Sequence, residues 1–244
     1  MRYIEKHLDT LAVTQHEEEL VRQKLDENSL LHADVHSGKT GSQLYEMVRD
    51  LPTMQGLKEQ MYAEQGGVCC YCGMKLEYPF NPQYRVEHVL PKEFHRELVG
   101  EYKNLLLSCR ATAKEMELRA DKTLSKARRK EFIHCDEAKG SQEITYSPLD
   151  KSCESAFWYD LEGQINPADK KADEDIKTLG LKGKYLKERR KTAIEEALVL
   201  GTSVLDDDDL RAFQAGLLSR NADGKYAEFY FVIADAINQL LPTS

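Results

Sequence analysis

Two cysteines with two residues between them, Cys69 and Cys72, and Gly73 directly behind them constrain this chain more than any other feature. A C-x-x-C turn presents two sulfurs from one tight loop, and a following glycine supplies the backbone freedom such a turn uses. Further along stand Cys109 and Cys135. Four thiolates suffice for one tetrahedral zinc ion, so Cys69, Cys72, Cys109 and Cys135 are read as a structural zinc site that closes residues 69 to 135 into one small unit. Alternatives stay open. Cys109 and Cys135 do not form a second C-x-x-C and are also readable as buried apolar thiols. His134 can stand in for Cys135 as a ligand. Cys69 and Cys72 can be read as a redox dithiol, although the strand–helix step that usually carries one is not seen. Cys70 is expected to point away from the site, and Cys153 to be structural.

Inside the cysteine frame lies Glu87-His88, followed by Pro91 and later by Asn104-Leu105-Leu106-Leu107. Tyr84, Val86 and Val89 read as one short strand, and Leu105 to Leu107 as a second, continuously apolar and therefore buried strand. Pro91 to Tyr102 reads as a loop with some helical content. Adjacent strand residues face opposite ways, so Glu87 and His88 can serve one site only at a bulge or a strand end. A neutral imidazole suits activation of water, and a carboxylate suits a hard cation such as Mg²⁺ or Mn²⁺. Alone, an acid–histidine pair is usually a surface feature; its weight here comes from the cysteines and Asn104 around it.

The rest of the chain is mostly helical in pattern. Residues 1–65 carry Leu20, Val21 and Leu25, then Leu44, Met47, Val48 and Leu51, at helical spacing; Pro52 is read as ending a helix, with Leu57 to Glu64 forming the next. His36-Ser37-Gly38-Lys39-Thr40 resembles the end of a phosphate-binding loop, but Ala33 stands where a glycine is required, and a loop is the better reading. Residues 110–133 form a charged helical insertion. Phe157 to Ile165 reads as a hairpin turning at Glu162-Gly163. Leu186, Ala193, Ile194, Ala197 and Leu198 form an amphipathic stripe, Asp206 to Asp209 cap the next helix, and Tyr226 to Leu241 is a last, apolar one. The expected fold is α+β and mostly α-helical. A small zinc-held module over residues 66–150 is embedded between helical segments at 1–65 and 151–244.

With 244 residues, 41% hydrophobic and 31% charged, the composition is that of an ordinary soluble domain. No apolar run reaches membrane-spanning length and the start lacks a signal-peptide core, so a cytoplasmic location is expected. The net charge of −8 is not that of a free-standing nucleic-acid binder. Lys122 to Lys130 and Lys182 to Lys191 are two basic stretches, each readable as a local binding patch or as a solvated helix face.

Together these residues resemble the HNH, or ββα-metal, endonucleases. The family pattern is C-x-x-C, an acid–histidine pair before a proline, an Asn-Leu-Leu-Leu strand ending in cysteine, and a later cysteine with an acid and Lys-Gly. Here these are Cys69/Cys72, Glu87-His88 with Pro91, Asn104 to Cys109, and Cys135-Asp136 with Lys139-Gly140. The resemblance implies that His88 is the general base and Asn104 orients its loop. Glu87 and Asp136 would hold a catalytic Mg²⁺ or Mn²⁺, and Lys139 would contact phosphate. In compact members the second metal ligand lies nine residues past the asparagine, which is Ala113 here; Asp136 assumes that role if the insertion displaces the helix, with Glu115 as the runner-up.

The opening Met-Arg-x-Ile, the His-Cys-Asp-x-x-Lys-Gly block, Gly163-Gln164-Ile165 and Leu179-Gly180-Leu181 are similar to the PtuB branch of that family, the nuclease subunit of Septu and retron anti-phage systems. That likeness implies cleavage of nucleic acid, DNA in the first place, and a PtuA-like ATPase as partner. In some members it also implies a retron reverse transcriptase with its RNA–DNA product. Cutting of host tRNA in the same kind of complex, and a zinc knuckle that binds nucleic acid or a partner without cutting, are the competing readings.

Overall fold

The computed structural model describes residues 1–7, 38–50, 52–77, 84–199 and 206–242. The readings at Leu20, Val21, Leu25, Ala33, His36, Ser37 and Leu51 lie outside the described residues. Strands β1 (Tyr84–His88) and β2 (Leu105–Cys109) pair antiparallel, with Tyr84 opposite Cys109 and His88 opposite Leu105. Every residue of β2 is buried, as a continuous apolar run requires. Its second edge is closed at Leu107 by the Gln65 side chain and the Cys70 N–H instead of a strand. The Leu107 N–H donates to Gln65 Oε1 at 2.6 Å, and Gln65 Nε2 donates to the carbonyls of Val68 and Leu107 at 2.8 Å each. One buried glutamine thus satisfies backbone groups that would otherwise cost free energy unpaired.

Helix α1 (Gly41–Val48) starts at a capping box in which Thr40 and Gln43 satisfy each other's backbone N–H. Of its expected stripe Leu44 and Val48 are buried, but Met47 is 45% exposed. Helix α2 (Pro52–Glu64) begins at Pro52, which therefore starts a helix instead of ending one. Proline fits the first helical position because that N–H has no intrahelical partner. The helix runs through Gly66 and Gly67, both at positive φ, into the first cysteine pair.

The charged insertion forms two helices, α3 (Ala113–Ala120) and α4 (Lys126–Lys130). The break falls at Asp121, whose backbone is extended and whose carboxylate accepts from the Thr123 N–H at 2.8 Å and hydroxyl at 2.6 Å. This local pairing competes with helix continuation. After a one-turn helix α5 (Asp136–Lys139), helix α6 (Cys153–Ala156) leads into the hairpin β3 (Phe157–Tyr159) and β4 (Ile165–Pro167).

Helices α7 (Lys170–Thr178), α8 (Lys184–Val199), α9 (Asp207–Leu217) and α10 (Tyr230–Ile237) complete the chain. Asp206 caps α9 by accepting from the N–H groups of Asp208 and Asp209. Seven of the eight residues of α10 are buried, so its apolar surface is core and not a docking face. The Phe229 N–H before α10 donates to the Gly73 carbonyl at 2.8 Å. Gly73 itself has φ +81°, and a Cβ there would stand 2.8 Å from the Phe231 ring. The C-terminal segment therefore packs directly on the cysteine knuckle and shares one hydrophobic core with it. Among the described residues no helix is long and apolar enough to cross a membrane. The protein is α+β and mostly helical, with two small antiparallel sheets among the described residues.

Candidate metal centre and catalytic cleft

Cys69, Cys72, Cys109 and Cys135 converge, all buried, with their sulfurs within 4.8 Å of one another. The knuckle brings the first pair, the end of β2 brings Cys109, and the residue before α5 brings Cys135. Cys69 Sγ lies 3.8 Å from Cys135 Sγ, and Cys72 Sγ lies 3.7 Å from Cys109 Sγ. Four sulfurs about 2.3 Å from a shared zinc ion would be roughly 3.8 Å apart along each tetrahedral edge. The four thiols therefore fit zinc in both number and spacing. Cys135 occupies a backbone conformation with φ 59°, unusual for a residue with a side chain. Its N–H is anchored to the Leu179 carbonyl at 2.8 Å. Such strain, on the order of 1–3 kcal/mol, persists only where surroundings over-determine the position.

His134 is a neighbour of the cluster and not one of its four corners. Its Nδ1 lies 3.3 Å from Cys135 Sγ and 3.6 Å from Cys109 Sγ, while Nε2 lies 3.0 Å from Glu115 Oε1. Glu115 also accepts from the Thr112 N–H and hydroxyl, at 2.7 and 2.9 Å, and is fully buried. Glu115 completes the capping box of α3 and braces His134, and it is not among the residues lining the cleft that holds Glu87. A carboxylate–imidazole pair behind metal ligands orients them and adjusts their basicity.

Glu87 and His88 both open on one cleft of about 670 Å³. His88 is the last residue of β1, so the strand end allows the two neighbours to serve one site. The Glu87 carboxylate is 1% exposed. Its Oε1 accepts from the Tyr71 hydroxyl at 2.7 Å and pairs with Lys139 Nζ at 2.8 Å. Burial, reinforced by the adjacent Asp136 carboxylate, pushes Glu87 up to about 8, against the opposing pull of Lys139. His88 lies 3.1 Å from the Val99 carbonyl through Nε2, and the Tyr45 ring meets it edge-on at 5.0 Å. Val99 O can only accept, so Nε2 carries the proton and Nδ1 keeps its lone pair. Burial lowers His88 to about 4, which leaves the ring neutral near pH 7.

Asn104 joins β2 to the segment after His88. Its Oδ1 accepts from the Leu90 N–H at 2.8 Å and its Nδ2 donates to the Leu90 carbonyl at 3.0 Å. Asp136 opens α5. Its N–H donates to Ser108 Oγ at 3.3 Å, and its carboxylate lies 3.7 Å from Arg85. Ser108 Oγ also lies 3.8 Å from Cys69 Sγ, so one serine on β2 stands between the sulfur cluster and Asp136. Glu87 and Asp136 line the same cleft, and carboxylate oxygens are the donor type that a hard divalent cation takes. Lys139 is 1% exposed and places its ammonium on Glu87 and on the His88 carbonyl at 3.0 Å.

Neither basic stretch supplies the cleft. Lys182, Lys184, Arg189 and Lys191 are paired with Asp173, Glu188, Glu228 and Glu162, and Arg190 is buried against the carbonyls of Gly163 and Leu181. In the other stretch, Arg128 pairs with Glu131. The cleft instead gathers Arg49, Lys58, Arg85, Lys92 and Arg110 from distant positions, against Glu87, Glu93, Asp136 and Glu137. Tyr71, Val99 and Tyr45 have no role in the sequence pattern. Only Tyr71 leaves a signal there, an aromatic residue inside a metal-type turn. The chain matches no protein-family model and no curated protein sequence.

Proposed function

We propose that this chain is a metal-dependent HNH-type endonuclease of the PtuB kind, which hydrolyses phosphodiester bonds of nucleic acid. The observation that carries the reading is the placing, in one cleft, of a neutral histidine beside the buried Glu87 carboxylate and the partly exposed Asp136. His88 Nε2 is committed to Val99 O, which directs Nδ1 to accept a proton from water. Glu87 and Asp136 would hold Mg²⁺ or Mn²⁺, and that cation would neutralise charge on the phosphate and the leaving oxygen. Asn104 fixes the segment that follows His88. Of the five basic residues lining the cleft, Arg49, Arg85 and Lys92 pair with Asp50, Asp136 and Glu93, so a polyanion entering it would exchange for those partners. DNA is the favoured substrate, with tRNA the alternative. An acidic chain of this type fits a PtuA-like ATPase partner that holds or gates the substrate; a retron product would be a further component.

The test is incubation of the purified chain, with and without a PtuA-like ATPase, with labelled DNA and with tRNA in Mg²⁺ or Mn²⁺. Metal-dependent cleavage is expected, lost in His88→Ala. Cleavage undiminished in that variant eliminates the mechanism; binding without cleavage under every condition favours a zinc knuckle that only binds.

A further inference from the structure

We infer that Tyr71, an intervening residue of the cysteine turn, is the positioning residue that aims Glu87 at the divalent cation. The inference rests on the reading of Glu87 as a cation ligand. Tyr71 is fully buried, and Cys72 follows it directly in the sulfur cluster. In a turn whose work is to present two sulfurs, the intervening side chains have no need to enter the interior. This one does, and its hydroxyl ends 2.7 Å from Glu87 Oε1. Lys139 Nζ reaches the same oxygen at 2.8 Å. Two donors on Oε1 fix the rotamer of the carboxylate and leave Oε2 as the oxygen neither of them engages. The carboxylate is buried, so bulk water does not take the place of a removed phenol.

The consequence is a mechanical link between two metal sites. The backbone of Tyr71 is held by its neighbour Cys72 and by the Cys70 N–H, which donates to the Leu107 carbonyl at 3.1 Å. Leu107 is on β2, opposite Val86 of β1 and one residue from the partner of Glu87. The sulfur cluster therefore sets where the phenol stands, and the phenol sets where the carboxylate points. A positioned ligand binds its cation more tightly than one that must be ordered on binding.

The test uses the full chain and Mn²⁺ as probe, with binding read by the loss of the free-ion electron paramagnetic resonance signal. Tyr71→Phe keeps the ring and removes one donor. It is expected to keep the wild-type zinc content and to weaken Mn²⁺ binding roughly tenfold, as loss of a hydrogen bond to a charged group does. In cleavage assays the Mn²⁺ requirement should rise, with kcat recovering at saturating Mn²⁺, a pattern a merely unfolded variant does not show. A double-mutant cycle of Tyr71→Phe and Glu87→Gln, followed by urea unfolding of the cation-free chain, should be non-additive. Equal Mn²⁺ affinity in wild type and Tyr71→Phe, or an additive cycle, overturns the inference while leaving the nuclease reading in place. Wild-type protein that binds no Mn²⁺ overturns both.

Discussion

Lys139 Nζ ends 2.8 Å from Glu87 Oε1, and both side chains are 1% exposed. The cation of the Lys-Gly block is therefore turned inward, onto the acid of the acid–histidine pair. Above about pH 8, where Glu87 is ionised in the wild type, replacing Lys139 with an apolar side chain leaves that carboxylate beside Asp136 with no counter-charge. There Lys139→Met is expected to cost about 3–5 kcal/mol of unfolding free energy, and less at neutral pH, where the folded chain keeps the Glu87 proton. Lys139→Met combined with Glu87→Gln should cost less than the sum of the two. Urea unfolding followed by circular dichroism measures this.

The same carboxylate gives the cation-free chain a pH signature. Glu87 moves from 4.5 up to about 8, so between those values the folded chain keeps a proton that the unfolded chain has lost. Its contribution to stability therefore falls as pH rises from 4.5 to 8. His88 moves from 6.5 down to about 4, so over that window the unfolded chain holds the extra proton and stability rises with pH. The two slopes oppose each other between pH 4.5 and 6.5, and above that only the Glu87 slope remains of the pair. The stability of Glu87→Gln relative to wild type should therefore climb between pH 6.5 and 8. A difference that stays flat across that window contradicts the assignment.

Zinc is expected at one ion per chain by elemental analysis, with Cys69, Cys72, Cys109 and Cys135 as ligands. Cys135→Ser should lower the zinc content and the melting temperature together, because metal binding and folding are one equilibrium in such sites. A strong chelator should do the same to the wild type. Cys153→Ser, which changes a buried thiol outside the cluster, should keep full zinc. Zinc-free protein with a reversible dithiol would support the redox reading.

Asn104→Ala removes both hydrogen bonds to Leu90 while leaving the cluster untouched. At about 1 kcal/mol per bond, a loss of roughly 2 kcal/mol in stability is expected. On the proposed nuclease reading, cleavage should fall further than stability alone explains, because Leu90 lies two residues beyond His88. Zinc content should not change.

Gly180 tests how the C-terminal segment holds Cys135 in its strained conformation. Its φ is +63°, and a Cβ would stand 2.6 Å from the Ile133 carbonyl. Gly180→Ala is expected to cost more than about 1 kcal/mol, since the backbone conformation and the space both exclude it. Slower zinc retention against a chelator should accompany the loss.

Several elements are legible in the sequence because their chemistry is local. Asp206 and the turn at Glu162-Gly163 act within four residues of themselves, and β2 is announced by an apolar run that only a buried strand accommodates. The cysteine frame is legible because few arrangements other than one ion gather four buried thiols at one point. What the tertiary structure alone decides is the use of charge. Nothing near Lys139 in the sequence keeps it from solvent, and its inward turn depends on Glu87 arriving from a strand 52 residues earlier. Glu115 stands 19 residues ahead of His134, and only folding lays the two together. Tyr71 is one aromatic residue in a turn until β1 brings Glu87 over its hydroxyl. A side chain's type and spacing dictate local hydrogen bonds and burial. Which charge it meets across the core depends on distances that no local pattern encodes.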